Sequence, residues 1–187
     1  MTTATNQNRY SLVAIGFHWL IFGLLVWQVA IGWSMEDLKG AAKIAPMQLH
    51  KSMGFTILLL SIARLGWRIK NLGPPPPPNM KDWELKLLKI THLAFYALLI
   101  GIPFLGWVLI STSSYRFPTL FWGMFEWPTL PLQDLNFTKP LHEAAEFGHS
   151  KFVWLGILLM ILHVAAAIKH QFIDKDGVLA RMLPFLK

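Results

Sequence analysis

The sequence predicts an all-α integral membrane protein, folded as a bundle of four transmembrane helices. Three observations lead to this fold class. The 187 residues are 54% hydrophobic and only 14% charged, and the mean hydropathy is +0.44. In a typical soluble domain, about a quarter of the residues are charged. The apolar residues also gather into four long runs that do not alternate with polar ones. This composition excludes a disordered chain and argues against an ordinary water-soluble globule.

The four runs are each long enough to form a membrane-spanning helix. Each has on the order of 20 residues, which as a helix crosses a hydrocarbon core of about 30 Å. Because the runs are continuously apolar, strands of a transmembrane barrel are a poor alternative. We expect a single membrane domain over 1–187, with spans at about 12–33, 48–69, 90–111 and 147–170.

The first run resembles a signal peptide in position only. It is longer than the 7–15 apolar residues of a typical signal core, and no small-residue cleavage site follows it. We therefore expect it to be an uncleaved first span.

Basic residues predict the orientation of the bundle. If the N-terminus lies in the cytoplasm, eleven of the seventeen Lys and Arg residues fall on the inner side with only four acids. The outer side then has six basic and six acidic residues. The positive-inside rule therefore predicts that both termini are cytoplasmic. The net charge of +7 then faces the inner leaflet and does not indicate nucleic-acid binding.

The loops carry less information. Five consecutive prolines, Pro74 to Pro78, predict a stiff extended connection with no evident chemical role. The loop over about 112–146 is long and rich in aromatic residues and proline, and it suits a cap along the outer membrane surface. No internal repeat, phosphate-binding loop or nucleophile motif is present.

The sequence contains no cysteine and seven histidines. The lack of thiols excludes disulfides, cysteine-ligated iron–sulfur and zinc sites, and covalently attached c-type haem. Metal chemistry must therefore depend on histidine, carboxylate or methionine side chains.

Four of the histidines form two pairs at matched depth. His149 and His163 are 14 residues apart, which is about 21 Å along a helix and brings them back to nearly the same face. His18 lies near the inner end of the first span, at the depth of His163. His50 lies at the outer start of the second span, at the depth of His149. We therefore predict two bis-histidine b-type haems, with the inner iron between His18 and His163 and the outer iron between His50 and His149. Two axial imidazoles leave no open iron position and favour electron transfer.

Two alternatives apply to these histidines. A single histidine in a membrane span is often just a polar group bonded to a neighbouring helix. A tetrahedral zinc site requires three or four ligands together, which pairs about 21 Å apart do not provide.

Three further residues fit the same prediction more weakly. Gly54 and Gly156 leave room for a flat macrocycle, although glycine also serves ordinary close helix packing. Arg64 returns to the face of His50 near the inner haem level. It is a candidate partner for a haem propionate, with snorkelling to the interface as the alternative.

The remaining histidines have less certain roles. His142 is expected at the surface, outside the hydrocarbon. His92 and His170 lie near the cytoplasmic interface, where each can hydrogen-bond a quinone or relay protons, or simply serve as an interfacial polar residue.

At these positions the chain resembles the bacterial cytochrome b561 family, and within it the superoxide oxidases most closely. The resemblance covers nearly the whole sequence, and its specificity comes from the order and spacing of the matching segments. These are Tyr10-Ser11, Phe17-His18-Trp19-Leu20, His50 with Gly54, Arg64-Leu65 with Arg68, His92-Leu93 with Tyr96, Pro103 and Gly106, His149, Leu162-His163-Val164-Ala165-Ala166-Ala167 with His170, and the tail from Asp176 to Pro184.

This resemblance implies a fold, a ligand set and a reaction. The family implies a four-helix bundle in the bacterial inner membrane that binds two haems b through His18, His50, His149 and His163. The superoxide oxidases imply that superoxide is oxidised at the outer face and that ubiquinone is reduced. Trp19 and His170 are then candidates for the quinone pocket near the inner haem. The loop over 112–146 departs from the family pattern.

The outer lysines fit such a substrate. Lys51 adjoins His50 and Lys151 is close to His149, while Lys39, Lys43 and Lys139 lie in the neighbouring loops. Positive charge around an exposed redox centre attracts an anion such as superoxide. The alternative is that these lysines pair with the equally numerous acids of the outer side.

A different class of function is also open. Similar four-helix di-haem proteins are membrane anchors that relay electrons between a periplasmic dehydrogenase or hydrogenase and the quinone pool. The aromatic outer loop would then be the docking surface for that partner. A non-redox transporter or structural bundle has only the spans in its favour.

Overall fold

The structure is a computed structural model that describes residues 9–78, 80–115, 117–133 and 135–183. Its long helices are α1 (Leu12–Ser34), α2 (Ile44–Lys70), α3 (Asp82–Thr112) and α4 (Thr138–Lys169). All four are long and apolar enough to cross a membrane, which confirms the predicted fold class. Four residues used in the sequence analysis, Arg116, Asp134, Pro184 and Lys187, lie outside the described residues.

Three of the four helices begin earlier than the apolar runs predicted, whereas α1 begins at Leu12 as predicted. Helix α3 starts well before 90, where the Lys81 amide donates to the Glu84 carboxylate at 3.2 Å. Helix α4 starts well before 147, at Thr138, and α2 starts at Ile44 after a 3-10 turn at Gly40–Lys43. Hydropathy marks only the part of a helix that lies in hydrocarbon. The first turns of α3 and α4 contain charged residues, so these helices extend beyond the predicted starts.

The apolar core lies among α1, α2 and α3. One cluster contains Ile21, Ile57 and Leu99, and a second contains Ile31, Met35 and Met53. Helix α4 packs against α3 and buries only small residues, Ala145 and Gly148. Its large apolar residues are more than half exposed, as expected for a lipid-facing surface: Leu158, Ile161 and Leu162. A cavity consequently separates α4 from α1 and α2.

The first and last segments that the structure describes meet at one end of the bundle, which we call the inner end. The Tyr10 amide donates to the Arg181 carbonyl at 3.4 Å, and the Arg181 guanidinium donates to the Pro75 carbonyl. A side chain at Gly73 would place its Cβ 2.5 Å from the Tyr10 ring, which would then have to move. Pro74 to Pro77 line the inner mouth of the cavity, a structural position that the sequence did not indicate.

The loop at the opposite, outer end contains a short antiparallel hairpin. Strands β1 (Leu120–Phe121) and β2 (Phe125–Glu126) pair with Leu120 opposite Glu126 and Phe121 opposite Phe125. The turn between them has positive φ at Trp122 (51°) and Gly123 (73°). The loop lies against α2 and α3, where Trp127 stacks on Phe55 with ring centroids 4.2 Å apart.

Candidate haem-binding cavity

One large cavity runs along the inside of the bundle. Its volume is about 1720 Å³, and most of its wall is apolar. All seven histidines of the sequence line it. The histidines of different helices therefore face one shared internal space.

The two predicted histidine pairs come together across this cavity. The ring centroids of His50 and His149 are 6.2 Å apart, and those of His18 and His163 are 6.3 Å apart. Metal–imidazole bonds of about 2.0–2.1 Å on opposite sides of one ion put ring centroids roughly 6.4 Å apart. Both pairs therefore fit a metal ion held between two axial imidazoles.

Helix α3 positions His149 in two ways. The Nδ1–H of His149 donates to the Ile102 carbonyl at 2.9 Å, because a carbonyl oxygen can only accept. The lone pair is then on Nε2, the nitrogen available to a metal. One turn further along α3, a Cβ on Gly106 would lie 3.2 Å from the His149 ring. Ile102 therefore orients the ring, and Gly106 makes space for it.

His50 is held from α1. The Gln28 amide donates to the His50 backbone carbonyl at 2.9 Å, and a Cβ on Gly32 would lie 3.8 Å from the His50 ring. The His50 Nδ1 atom is buried with no hydrogen-bond partner among the described residues. Gly54 leaves room for the Gln28 side chain in this hydrogen bond to His50, since a Cβ at Gly54 would lie 3.4 Å from the Gln28 amide nitrogen.

Three histidines gather at the inner level. His92 lies 6.4 Å from His163 between ring centroids, almost the separation of His18 from His163. The Nδ1–H of His92 donates to the Leu88 carbonyl at 2.8 Å, which leaves Nε2 with the lone pair. Distance alone therefore does not separate His18 from His92 as the partner of His163.

Arg64 lies at this inner level, as the sequence predicted. Its Nη2 donates to His18 Nδ1 at 3.2 Å, and its guanidinium carbon lies 5.9 Å from the Tyr96 ring centre. The guanidinium thus points into the bundle instead of snorkelling away from it. Gly156 lies on α4 between His149 and His163, and a Cβ added there would lie 3.8 Å from the Ile102 side chain.

Trp19 and His170 line the inner end of the cavity. The Trp19 indole donates to the Met182 carbonyl at 2.8 Å. His170 begins the π-helical turn His170–Asp174 that ends α4, and its Nδ1 lies 2.6 Å from the Asp176 carboxylate. Sequence reasoning missed Asp176, because the π-helical turn that returns the chain to His170 has no pattern in the sequence.

The two outer lysines differ in position. Lys51 is half-buried and lines the cavity, as does Glu36. Lys151 is exposed and does not line the cavity, and its ammonium nitrogen lies 5.9 Å from the Phe147 ring centre.

The expectation of a surface position for His142 is wrong. His142 is half-buried on α4, lines the cavity, and lies 2.9 Å from the Thr112 hydroxyl through Nδ1. The apolar run begins after this residue, whereas the helix begins before it. His142 therefore already faces into the bundle.

Comparison with known proteins assigns the chain to a family. The family profile for prokaryotic cytochrome b561 matches residues 9–185. Cytochrome b561 homolog 2 of Escherichia coli (strain K12) is 32% identical over 98% of this chain and 95% of its own length. The probable superoxide oxidase CybB of Yersinia pestis is 27% identical over 95% of this chain and 97% of its own length. Cytochrome b562 of Cereibacter sphaeroides is 24% identical over 96% of this chain.

These relatives and the four membrane-spanning helices confirm the predicted location, a multi-pass protein of the bacterial inner membrane. The chain belongs to the prokaryotic cytochrome b561 family, whose members are membrane electron-transfer proteins that bind haem b.

Proposed function

We propose that this protein is a di-haem b oxidoreductase that oxidises superoxide to oxygen at the periplasmic face and reduces ubiquinone at the cytoplasmic face. The observation that carries the proposal is the pair of histidine couples, His50–His149 and His18–His163, at two levels of one cavity. Haem b, when bound, supplies one-electron transfer between these levels. The relative from Yersinia pestis carries superoxide oxidase in its name and supports the choice of donor.

The overall reaction balances with two superoxide ions for each quinone. Each superoxide ion loses one electron and becomes O₂. One ubiquinone takes up the two electrons and two protons and becomes ubiquinol. The outer end of the cavity must therefore admit an anion, and the inner end must bind a quinone and deliver protons.

The inner end of the cavity offers a proton-bearing side chain. Asp176 accepts from His170 Nδ1 and does not itself line the cavity, whereas His170 does. This contact, with Asp174 Oδ2 3.2 Å from the same nitrogen, fixes the imidazole. A quinone oxygen only accepts, so the ring binds it through Nε2–H, with both ring nitrogens protonated. We assign His170 in this form as the residue that donates to a quinone oxygen, and Trp19 as part of the wall beside it.

Arg64 has a role that follows from its contact with His18. Because a guanidinium only donates, His18 Nδ1 must accept, and the ring proton is then on Nε2. Ligation of a metal through His18 Nε2 therefore requires Arg64 to release Nδ1. The freed guanidinium is then available to a haem propionate.

One experiment tests the function as a whole. The purified protein in lipid nanodiscs is mixed with superoxide and a soluble ubiquinone analogue, and quinol formation is followed. We expect quinol formation that depends on the protein and is suppressed by superoxide dismutase. If electrons enter only when a second, periplasmic protein is added, the chain is a membrane anchor for that partner. An absorbance spectrum without b-type haem would contradict both functions.

Neutralising the outer lysines should slow superoxide entry. The double variant Lys51→Gln, Lys151→Gln is expected to lower the second-order rate with superoxide by about threefold to tenfold at low salt, because charge around a redox centre raises the encounter rate of an anion. Lys51 should account for most of the effect, since it alone of the two lines the cavity. The effect should shrink as salt is added.

The control for this experiment is Lys86→Gln, which removes an exposed positive charge from the inner end of α3, outside the cavity lining. A rate that is independent of salt, or an equal effect of Lys86→Gln, would remove the steering role from Lys51 and Lys151.

Removing the charge of Asp176 should slow quinone reduction alone. We expect Asp176→Asn to lower the rate of quinol formation on the order of tenfold, because it disturbs the proton donor that Asp176 orients. The rate of electron entry from superoxide should stay unchanged. Measuring the two steps separately, and the pH profile of the second, distinguishes this role from a general loss of structure.

The matched control is Asp82→Asn, an exposed acid on the first turn of α3 at the same end of the bundle. Equal slowing of both steps in Asp176→Asn would assign that residue a structural role only.

A further inference from the structure

We infer that the outer hairpin, defined here as residues 117–128, is immersed in the outer leaflet of the bilayer, with lipid acyl chains as its partner. Two polar side chains of α2, Gln48 and Ser52, take the place of a neighbouring strand for its backbone, and a third, Thr56, holds the Trp122 indole. The inference is independent of the electron donor and acceptor.

The depth of the hairpin follows from its contacts with α2. The Trp122 indole donates to the Thr56 hydroxyl at 3.0 Å. Thr56 lies more than a helical turn inward of Lys51, within the stretch from Ser52 to Trp67, where Arg64 is the single charged residue. That offset is about 7 Å along the helix axis. The turn of the hairpin is therefore below the level of Lys51 and inside the membrane-spanning part of α2.

A hairpin at this depth needs partners for its backbone polar groups, because hydrocarbon offers none. Gln48 and Ser52 provide them from one face of α2, and Thr56, four residues further along the same face, holds the Trp122 indole. The Gln48 side chain accepts from the Leu120 amide at 3.1 Å and donates to the Pro118 carbonyl at 2.6 Å.

Ser52 continues this row of contacts. Its hydroxyl accepts from the Trp122 amide at 3.0 Å and donates to the Leu120 carbonyl at 3.1 Å. The edge of β1 is thus paired with side chains of α2 instead of with another strand. Non-helical backbone within a membrane is tolerated where protein satisfies its polar groups, as it does here.

The residues at the tip have the chemistry of a lipid-facing surface. Trp122, Met124 and Phe125 are exposed, Met124 by 69%. The charged residue of the hairpin, Glu126, is also exposed, but it lies opposite Leu120 at the level of Gln48, outward of this tip. On the other side of the hairpin, Trp127 packs between Phe55 and Trp107. One side therefore seals the groove between α2 and α3, and the exposed apolar side faces outward at membrane depth. Aromatic residues favour this zone of a bilayer.

The left-handed backbone at Trp122 indicates that contacts with α2 fix the position of this residue. A bulky residue with positive φ is unusual and costs energy unless its surroundings fix it. Here the amide and the indole of Trp122 are both held by α2, through Ser52 and Thr56. The hairpin is therefore fastened to α2 at the residue where its turn is least favourable.

The absence of cysteine in the natural sequence makes a direct test possible. Single cysteines are introduced as Met124→Cys, Tyr115→Cys and Leu158→Cys in the haem-loaded protein. Each is reconstituted into nanodiscs of phosphatidylethanolamine and phosphatidylglycerol and treated with a water-soluble maleimide. Because the thiolate is the reactive form and requires water, a thiol in lipid reacts slowly. Labelling after denaturation gives the total for each variant.

We expect Met124→Cys to label as slowly as Leu158→Cys, which faces lipid on α4. Tyr115→Cys, 88% exposed in the same loop outside the hairpin, should label fast. Labelling of Met124→Cys as fast as that of Tyr115→Cys would overturn the inference and leave the apolar tip free for a periplasmic protein partner.

A second pair of variants tests the fastening to α2. Adding Thr56→Val to Met124→Cys removes the acceptor for the Trp122 indole and should increase the labelling rate. The control is Ser61→Ala, a buried hydroxyl on the same helix without a hydrogen-bond partner in the described structure, which should leave the rate unchanged. Equal labelling in both backgrounds would contradict the role of the α2 contacts.

Discussion

Replacing His149 with alanine is expected to halve the haem content of the purified protein, from two haems per chain to one. His149 is the α4 partner of His50, and the outer level offers no second histidine at a comparable ring distance in the described structure. If His50 and His149 hold the outer iron, as proposed, this substitution would remove one of its two protein ligands, whereas His163 at the inner level would keep its own partner. Haem is measured against protein by pyridine haemochrome absorbance.

The control for this experiment is His142→Ala. His142 also lies on α4 and lines the cavity, but its Nδ1 contacts the Thr112 hydroxyl. We expect this variant to retain both haems. If His142→Ala loses a haem and His149→Ala keeps both, the outer ligand assignment is wrong.

The sequence was sufficient to predict the spans and the pairing of histidines by depth. Both depend on local regularities, because hydropathy identifies a helix in hydrocarbon and the 3.6-residue period fixes which residues share its face. The 14-residue separation of His149 and His163 is such a regularity. Four antiparallel spans then place His18 and His50 at the matching depths with few alternatives.

The supporting contacts were beyond reach of the sequence, because they depend on how the helices pack. The Ile102 carbonyl meets His149, and the Gly106 gap lies beside the same ring. Neither contact follows from the period of α3, which gives the face of a residue but not its neighbour on another helix. Asp176 reaches His170 only through an irregular π-helical turn.

The contacts of the outer loop could not be predicted from the sequence either. Its aromatic residues predicted a cap along the outer membrane surface, and the structure adds the hydrogen bonds that hold the hairpin against α2. The row of Gln48, Ser52 and Thr56 was visible in the sequence as three polar residues at four-residue spacing. Such a row is equally typical of helix–helix contacts. The sequence therefore did not indicate that the row binds the hairpin, which only the fold shows.

At the inner level, His18 and His92 are both close enough to be the partner of His163. We expect His18→Ala to lose the inner haem and His92→Ala to retain it. The reason is the packing of the helices. Helix α4 packs directly against α3, which carries His92, whereas the cavity lies between α4 and α1, which carries His18.

The outer pair has the same arrangement, since His50 belongs to α2 and not to the helix on which α4 packs. A macrocycle between two axial ligands needs an open slot between their helices, and the α1–α4 side provides one. The hydrogen bond from His92 Nδ1 to the Leu88 carbonyl within α3 then fixes His92 beside the slot, as a neighbour of the inner site.

Haem content and the low-spin electron paramagnetic resonance signals of the two haems measure this prediction together. In His18→Ala, one haem and one low-spin signal should disappear, while in His92→Ala both signals should persist with at most a shift of the inner one. The opposite result would make His92 the axial ligand. Arg64 would then keep its hydrogen bond to His18 Nδ1, and the arginine would not be free for a propionate. The two substitutions therefore decide the ligand and the role of Arg64 at the same time.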